Sequence, residues 1–225
     1  MINGLAGEIR GVDRVVVFLR DSYLAKGVPV MMVWWGLWFH SDPRGGQSRE
    51  RLLAVLAVAI TAIFVGRLSA LTLPFRDRPL HDAALEVIVP TGARAETLMG
   101  WSSFPSDHAV LFFALATGIF LVNRVFGVLL FIHAALIISI PRIYSGLHFP
   151  GDILFGALIG IGVTLVIFFG IARWLSRHSI VSLASRYGYI SYPLLFFITF
   201  QTASMFDSSR DLVQFVYGIA RAITT

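Results

Sequence analysis

Residues 107–140 read DHAVLFFALATGIFLVNRVFGVLLFIHAALIISI, two apolar stretches, 107–123 and 125–140, parted only by Arg124. Each approaches the roughly 20 residues that cross a hydrocarbon core as a helix. So short a break predicts a tight helical hairpin. Working outward, four more apolar segments of membrane length occupy 23–40, 52–73, 152–174 and 187–204. Composition points the same way: of 225 residues 56% are hydrophobic and 14% charged, with mean hydropathy +0.77. A soluble domain carries roughly a quarter charged residues. The sequence therefore predicts an all-α integral membrane protein, a six-transmembrane-helix bundle. No linker composition divides it, so 1–225 reads as a single membrane domain with its core at 23–204.

Both flanks carry helical amphipathicity. In segment 1–22 and just beyond, Val12, Val15, Val16, Leu19 and Tyr23 recur at helical spacing opposite Arg10, Asp13, Arg14, Arg20 and Asp21. In segment 205–225, Leu212, Phe215, Val216, Ile219 and Ile223 do the same after a potential N-cap at Ser208. These read as interfacial helices at both ends, or equally as amphipathic helices packed on the bundle. A cleaved signal peptide is not expected from the mixed charges of the first 21 residues. In the segment 152–174, Gly156, Gly160 and Gly162 have the spacing of close helix packing.

Charge excludes several functions. Eighteen Lys+Arg outweigh 13 Asp+Glu, yet the arginines form no basic run and Lys26 is the only lysine, so nucleic acid is a poor partner. Anionic lipid headgroups or phosphate esters suit the pattern better. Cysteine is absent, which removes thiol catalysis, thiolate metal sites and disulfides.

Three polar clusters stand at the edges of apolar segments: Arg78-Pro79, then Pro105-Ser106-Asp107-His108, then Arg142, His148 and Asp152. Counting spans puts the 33-residue polar stretch 74–106 and the short loop around 142–151 on one side of the membrane, so the clusters can meet. Asp152 lies one helical turn beyond His148, where a carboxylate can take the proton of one ring nitrogen and leave the other as a nucleophile. His108, near the start of a helix that Ser106 can cap, is placed to protonate a leaving oxygen. Arg78 and Arg142 offer planar forks for phosphate, and Ser106 adds a hydroxyl donor. His108, His148, Asp107 and Asp152 also have the chemistry of metal ligands, but two adjacent arginines would repel a cation. No metal is expected. His133 reads as a packing residue and His40 and His178 as interfacial, while Trp34, Trp35 and Trp38 read as a lipid-facing belt.

These clusters resemble the three signature motifs of the phosphatidic acid phosphatase type 2 superfamily. The stretch Ser103-Phe104-Pro105-Ser106-Asp107-His108 is similar to the form in its undecaprenyl-diphosphatase branch. The resemblance implies that His148 forms a phosphohistidine, that Asp152 orients it and that His108 is the general acid. Arg78, Ser106 and Arg142 would bind phosphate. It further implies a lipid phosphatase that needs no metal and no organic cofactor and acts on a polyprenyl diphosphate or related lipid phosphate. The motif lysine is replaced by Leu71, and Arg67 or Arg76 can supply the missing cation. The serine usual before the third-motif arginine is Pro141.

Two other readings stay open at this level: a phosphotransferase using the same histidine, and a non-catalytic phospholipid-binding member of the fold. Arg44, Arg49, Arg51, Arg124, Arg173, Arg177 and Arg186 fall on the side opposite the clusters. The positive-inside rule then directs the clusters outward, and the resemblance implies that the membrane is a bacterial inner membrane.

Overall fold

A computed structural model describes residues 2–40 and 48–207 of the chain. The predicted helix at the C-terminus, with Ser208 and almost all of 205–225, lies outside the described residues, as does Arg44. The described residues form helices joined by loops and contain no strand. A 3-10 turn at Ile2–Leu5 precedes α1 (Arg10–Asp21), α2 (Tyr23–Phe39) and α3 (Ser48–Thr72). After the long polar loop come α4 (Asp107–Val122), α5 (Arg124–His133) and α6 (Ile140–Tyr144), then α7 (Pro150–Arg177), α8 (Ile180–Arg186) and α9 (Gly188–Ala203). All six apolar segments fold as helices. Among the described residues three helices are long and apolar enough to cross a membrane: Ser48–Thr72, Arg124–Tyr144 and Pro150–Arg177. Asp107–Val122 is apolar but shorter.

Helix α4 is apolar all round because it is buried all round. Ala109 to Leu111, Phe112, Ala114 to Ala116 and Ile119 are covered, with α3 and α7 packed directly on it. The approach of α7 depends on two glycines. A Cβ at Gly160 would stand 2.3 Å from the Val110 carbonyl oxygen, and one at Gly156 would stand 2.7 Å from that of Ser106. Gly162, grouped with them by spacing, faces open space. On the outer side of α7, Leu154, Phe155, Leu158, Leu165 and Val166 are exposed, an apolar surface suited to lipid.

The predicted hairpin turns at Asn123, whose side chain accepts hydrogen bonds from the amides of Val125 and Phe126 and caps α5. Further on the helix widens. Residues Ala134–Ser139 form a π-helical turn, with the Ile140 amide bonded to the Ala135 carbonyl. The next residue, Pro141, has no amide to give the ladder, and the π-turn carries the chain past that gap into α6 and Arg142.

One expectation needs correction. Trp34 and Trp38 are core residues and not a lipid-facing belt: both are buried, and the Trp34 indole donates 2.9 Å to the Leu52 carbonyl. Trp35 donates to Thr199 Oγ1 and so ties α2 to α9. Three large rings in a short helix fill the space between neighbours, a use that periodicity cannot separate from a belt.

In α1 the apolar stripe (Val12, Val15, with Phe18) is exposed, while Asp13 and Arg20 are buried. Asp13 accepts from the Tyr144 hydroxyl at 2.6 Å and the Thr91 amide at 2.8 Å. These bonds hold its carboxyl down at about 2. Asn3 adds bonds to the Ile88 and Tyr144 carbonyls. The N-terminal segment is thus stitched to the long loop.

Candidate active site

Four elements converge at one end of the bundle. The start of α4 supplies Ser106, Asp107 and His108, and α6 supplies Arg142. The short connection before α7 supplies His148, and the long loop supplies Arg76 and Arg78. The loop is held down by two backbone bonds, from the Leu80 amide to the Gly146 carbonyl and from the Ser103 amide to the Arg76 carbonyl, both 2.8 Å. Pro150 opens α7, as its fixed φ and missing amide favour at a first helical position, and this leaves His148 just ahead of the helix.

His148 is 5% exposed. Its Nδ1 lies 2.8 Å from the Ser103 carbonyl oxygen, which accepts only, so Nδ1 carries the proton and Nε2 keeps its lone pair. Nε2 faces Arg78 Nη1 at 3.2 Å. Asp152 stands 3.7 Å from Nδ1, too far for the hydrogen bond that the spacing suggested, and acts on the ring through its charge. Its oxygens are occupied otherwise: they accept from the Ser103 hydroxyl, the Phe149 amide at 2.8 Å and Arg76 Nη1 at 2.9 Å. Asp152 therefore fixes Ser103, and the Ser103 carbonyl fixes the imidazole. Burial holds His148 well below its ordinary value, at about 4, so the ring is neutral near neutral pH.

Arg78 is pinned by backbone carbonyls. Its Nη1 donates to Leu147, Nη2 to Ser102 and Nε to Trp101. Burial lowers it only to about 10, so it stays a cation beside Nε2. Arg142, buried on α6, donates from Nη1 to the Ile138 carbonyl at 2.8 Å. Arg67 pairs with Asp107 at 2.8 Å. Ser106 is the N-cap residue of α4 but makes no capping bond, and its buried hydroxyl has no hydrogen-bond partner.

A cavity of about 520 Å³ opens over this assembly, and Arg67, Arg78, His108, Arg142 and His148 line it. Arg76, Asp152 and Ser106 do not. Of the two arginines considered as stand-ins for the lysine absent at Leu71, Arg67 thus faces the cavity and Arg76 faces Asp152. Leu71 itself is exposed. Among the described residues no group of three or more His, Asp or Glu side chains is arranged to hold a metal.

Sequence reasoning missed Ser103, although it lies within the quoted motif stretch, because its main contribution is a carbonyl that every residue possesses. Arg20 and Lys26 also line the cavity and were not singled out. A lone lysine in an otherwise apolar segment was the available signal. His133 and His81 are packing residues, bonded through Nε2 to the Ala25 and Thr97 carbonyls.

The family model of the PAP2 superfamily matches residues 51–177, more than half of the chain. The chain belongs to the PAP2 superfamily. Its matched region runs from α3 to the end of α7 and contains all three polar clusters. Among curated proteins it is similar to the bacitracin transport permease protein BcrC of Bacillus licheniformis, 29% identical over 82% of this chain and 84% of the relative. It is 26% identical to the undecaprenyl-diphosphatase BcrC of Bacillus subtilis over 74% of this chain and 79% of that one. The putative undecaprenyl-diphosphatase YbjG of Escherichia coli is 28% identical over 71% of this chain and 74% of the relative. No solved structure matches significantly.

Proposed function

We propose that this PAP2 protein is a membrane lipid phosphatase that hydrolyses a polyprenyl diphosphate, undecaprenyl diphosphate being the substrate named in two relatives. One observation carries the reading: a buried, neutral imidazole with Nδ1 locked on a carbonyl presents Nε2 to a cation-lined cavity. In the proposed reaction the Nε2 lone pair attacks the terminal phosphorus. The bond from phosphorus to the bridging oxygen breaks, and His108 protonates that oxygen, releasing the polyprenyl monophosphate. Water then attacks the phosphohistidine, His108 takes its proton, and inorganic phosphate leaves with His148 restored. Arg78, Arg142 and Arg67 offset the charge on the transferred group, the largest part of catalysis in phosphoryl transfer. Ser106, buried and outside the cavity lining, is given no phosphate contact in this reaction.

The same reading covers the architecture. Six helices span the membrane in one domain over residues 1–225, α1 lies in the interface with its apolar stripe toward lipid, and the cavity faces outward from a bacterial inner membrane. No metal takes part, since arginines stand where a bound cation would sit. One relative's name speaks of transport instead. The ionisable residues here gather at one end of the bundle and not at a midplane site, which favours phosphatase over transporter.

Phosphate release by the detergent-solubilised protein from undecaprenyl diphosphate, with chelator present, tests the proposal. Release that disappears in His148→Ala is the expected result. Release that persists in that variant, or that stops with chelator, contradicts it.

A further inference from the structure

The cavity has a second cationic wall that the reaction above leaves unused. Arg20, at the end of α1, and Lys26, in the first turn of α2, both line it, and both are only 5% exposed. Neither lies within the residues that match the family model. Arg20 is held by Asp21, which accepts from Nε and Nη2 at 2.7 Å each. Its third nitrogen, Nη1, is buried with no hydrogen-bond partner. Among the described residues the Lys26 ammonium forms no hydrogen bond or ion pair; Nζ lies 4.8 Å from the centre of the Tyr23 ring, on the same wall. Five cationic side chains line the cavity (Arg20, Lys26, Arg67, Arg78 and Arg142) against three carboxylates (Asp21, Asp107 and Asp207), an excess of two positive charges. A buried guanidinium N–H and a buried ammonium without hydrogen-bond partners are costly, and an anionic ligand in the cavity would relieve both. Phosphate oxygens match both groups: a guanidinium N–H with no partner and a compact ammonium.

Resting on the phosphatase reading, we propose that Arg20 and Lys26 form a subsite for the second phosphate of a diphosphate, the one that leaves with the lipid. His148, Arg78 and Arg142 then hold the terminal phosphate, while the wall from α1 and α2 holds its neighbour. The site selects diphosphates over monophosphates because only a diphosphate reaches both walls. The stitched N-terminal segment acquires a purpose, since Asn3 and Asp13 anchor the helix that carries Arg20.

The test compares two non-hydrolysable probes with the same prenyl tail, a methylene-bridged diphosphonate and a monophosphonate. Binding to the solubilised full chain is measured by calorimetry for wild type, Lys26→Met and Lys26→Arg. Lys26→Met is expected to weaken the diphosphonate by about tenfold or more, the worth of one hydrogen bond to a charged group. The monophosphonate should change by less than about threefold, and Lys26→Arg should restore most of the difference. Arg20→Gln should repeat the split. Equal losses on both probes, or no loss on either, overturns the subsite. Wild-type hydrolysis of the diphosphate is read separately. A binding split without hydrolysis refutes the phosphatase and leaves the subsite standing; hydrolysis without a split does the reverse.

Discussion

At the scale of the residue, the chemistry rests on which nitrogen of His148 keeps its lone pair. The Ser103 carbonyl settles this without a titratable partner, so the proposed nucleophile stays ready wherever the ring is neutral. Burial places its titration at about 4. For the free enzyme, kcat/KM should stay level as pH falls from about 7 to about 5 and turn down only near 4, where the lone pair is lost to a proton. An acid limb at the ordinary histidine value, about 6.5, would count against a buried neutral nucleophile. The sign for stability follows. Because the folded value is depressed, the unfolded chain binds this proton first, and the contribution present above about 6.5 is lost as pH falls toward 4. Ser103→Ala removes a donor from the Asp152 carboxylate and should cost about 1.5–3 kcal/mol in thermal unfolding. It should lower kcat by about tenfold with KM little changed, since it loosens the imidazole and touches no substrate; a rise in KM alone would contradict that role. The residue types and spacing of His108, Arg142, His148 and Asp152 were readable in the sequence, because side chains of that chemistry are rare in an apolar chain. The carbonyl partner was not, since backbone atoms have no sequence signature.

At the scale of the element, α4 is the axis that carries the site, and α7 reaches it only across glycine. Gly160→Ala would drive a Cβ into the Val110 carbonyl and should destabilise the protein by about 1–3 kcal/mol. Gly162→Ala, on the open side of the same helix, should be neutral or stabilise by up to about 1 kcal/mol through helix propensity. Thermal unfolding in detergent checks the pair, and equal shifts would mean that α4 and α7 do not approach as described. The small-residue spacing had grouped all three glycines because it reports a helix face only coarsely. Helix positions were far easier to read. With α5, the π-turn and α6 taken as one helix to Tyr144, the predicted segments differ from the observed helices by no more than four residues at either end, since apolar length is a strong signal. The π-turn and α8 escaped notice: one is a shift of hydrogen-bond register, the other a seven-residue helix with no apolar stretch of its own.

At the scale of the whole molecule, the account requires the cavity and the loop around residue 95 to lie on the side opposite the α7–α8 turn. The absence of native cysteine makes this easy to probe. In cells, a membrane-impermeant thiol reagent should label Ala95→Cys and spare Ser179→Cys until the membrane is opened; the converse pattern would reverse the proposed orientation. The inward-turned polar face of α1 belongs to this scale too. A helical wheel shows that two faces exist, but which face meets lipid and which meets protein depends on Tyr144 and Thr91, more than 75 residues away in the chain. The claim on which everything else depends is that phosphate passes through His148. The most direct measurement is rapid mixing with terminally labelled undecaprenyl diphosphate, an alkaline quench, and mapping of the label by mass spectrometry. The account predicts a transient, acid-labile phosphate on His148 that forms and decays at rates compatible with turnover. Full turnover with no phosphoenzyme, or label on any other residue, would contradict it.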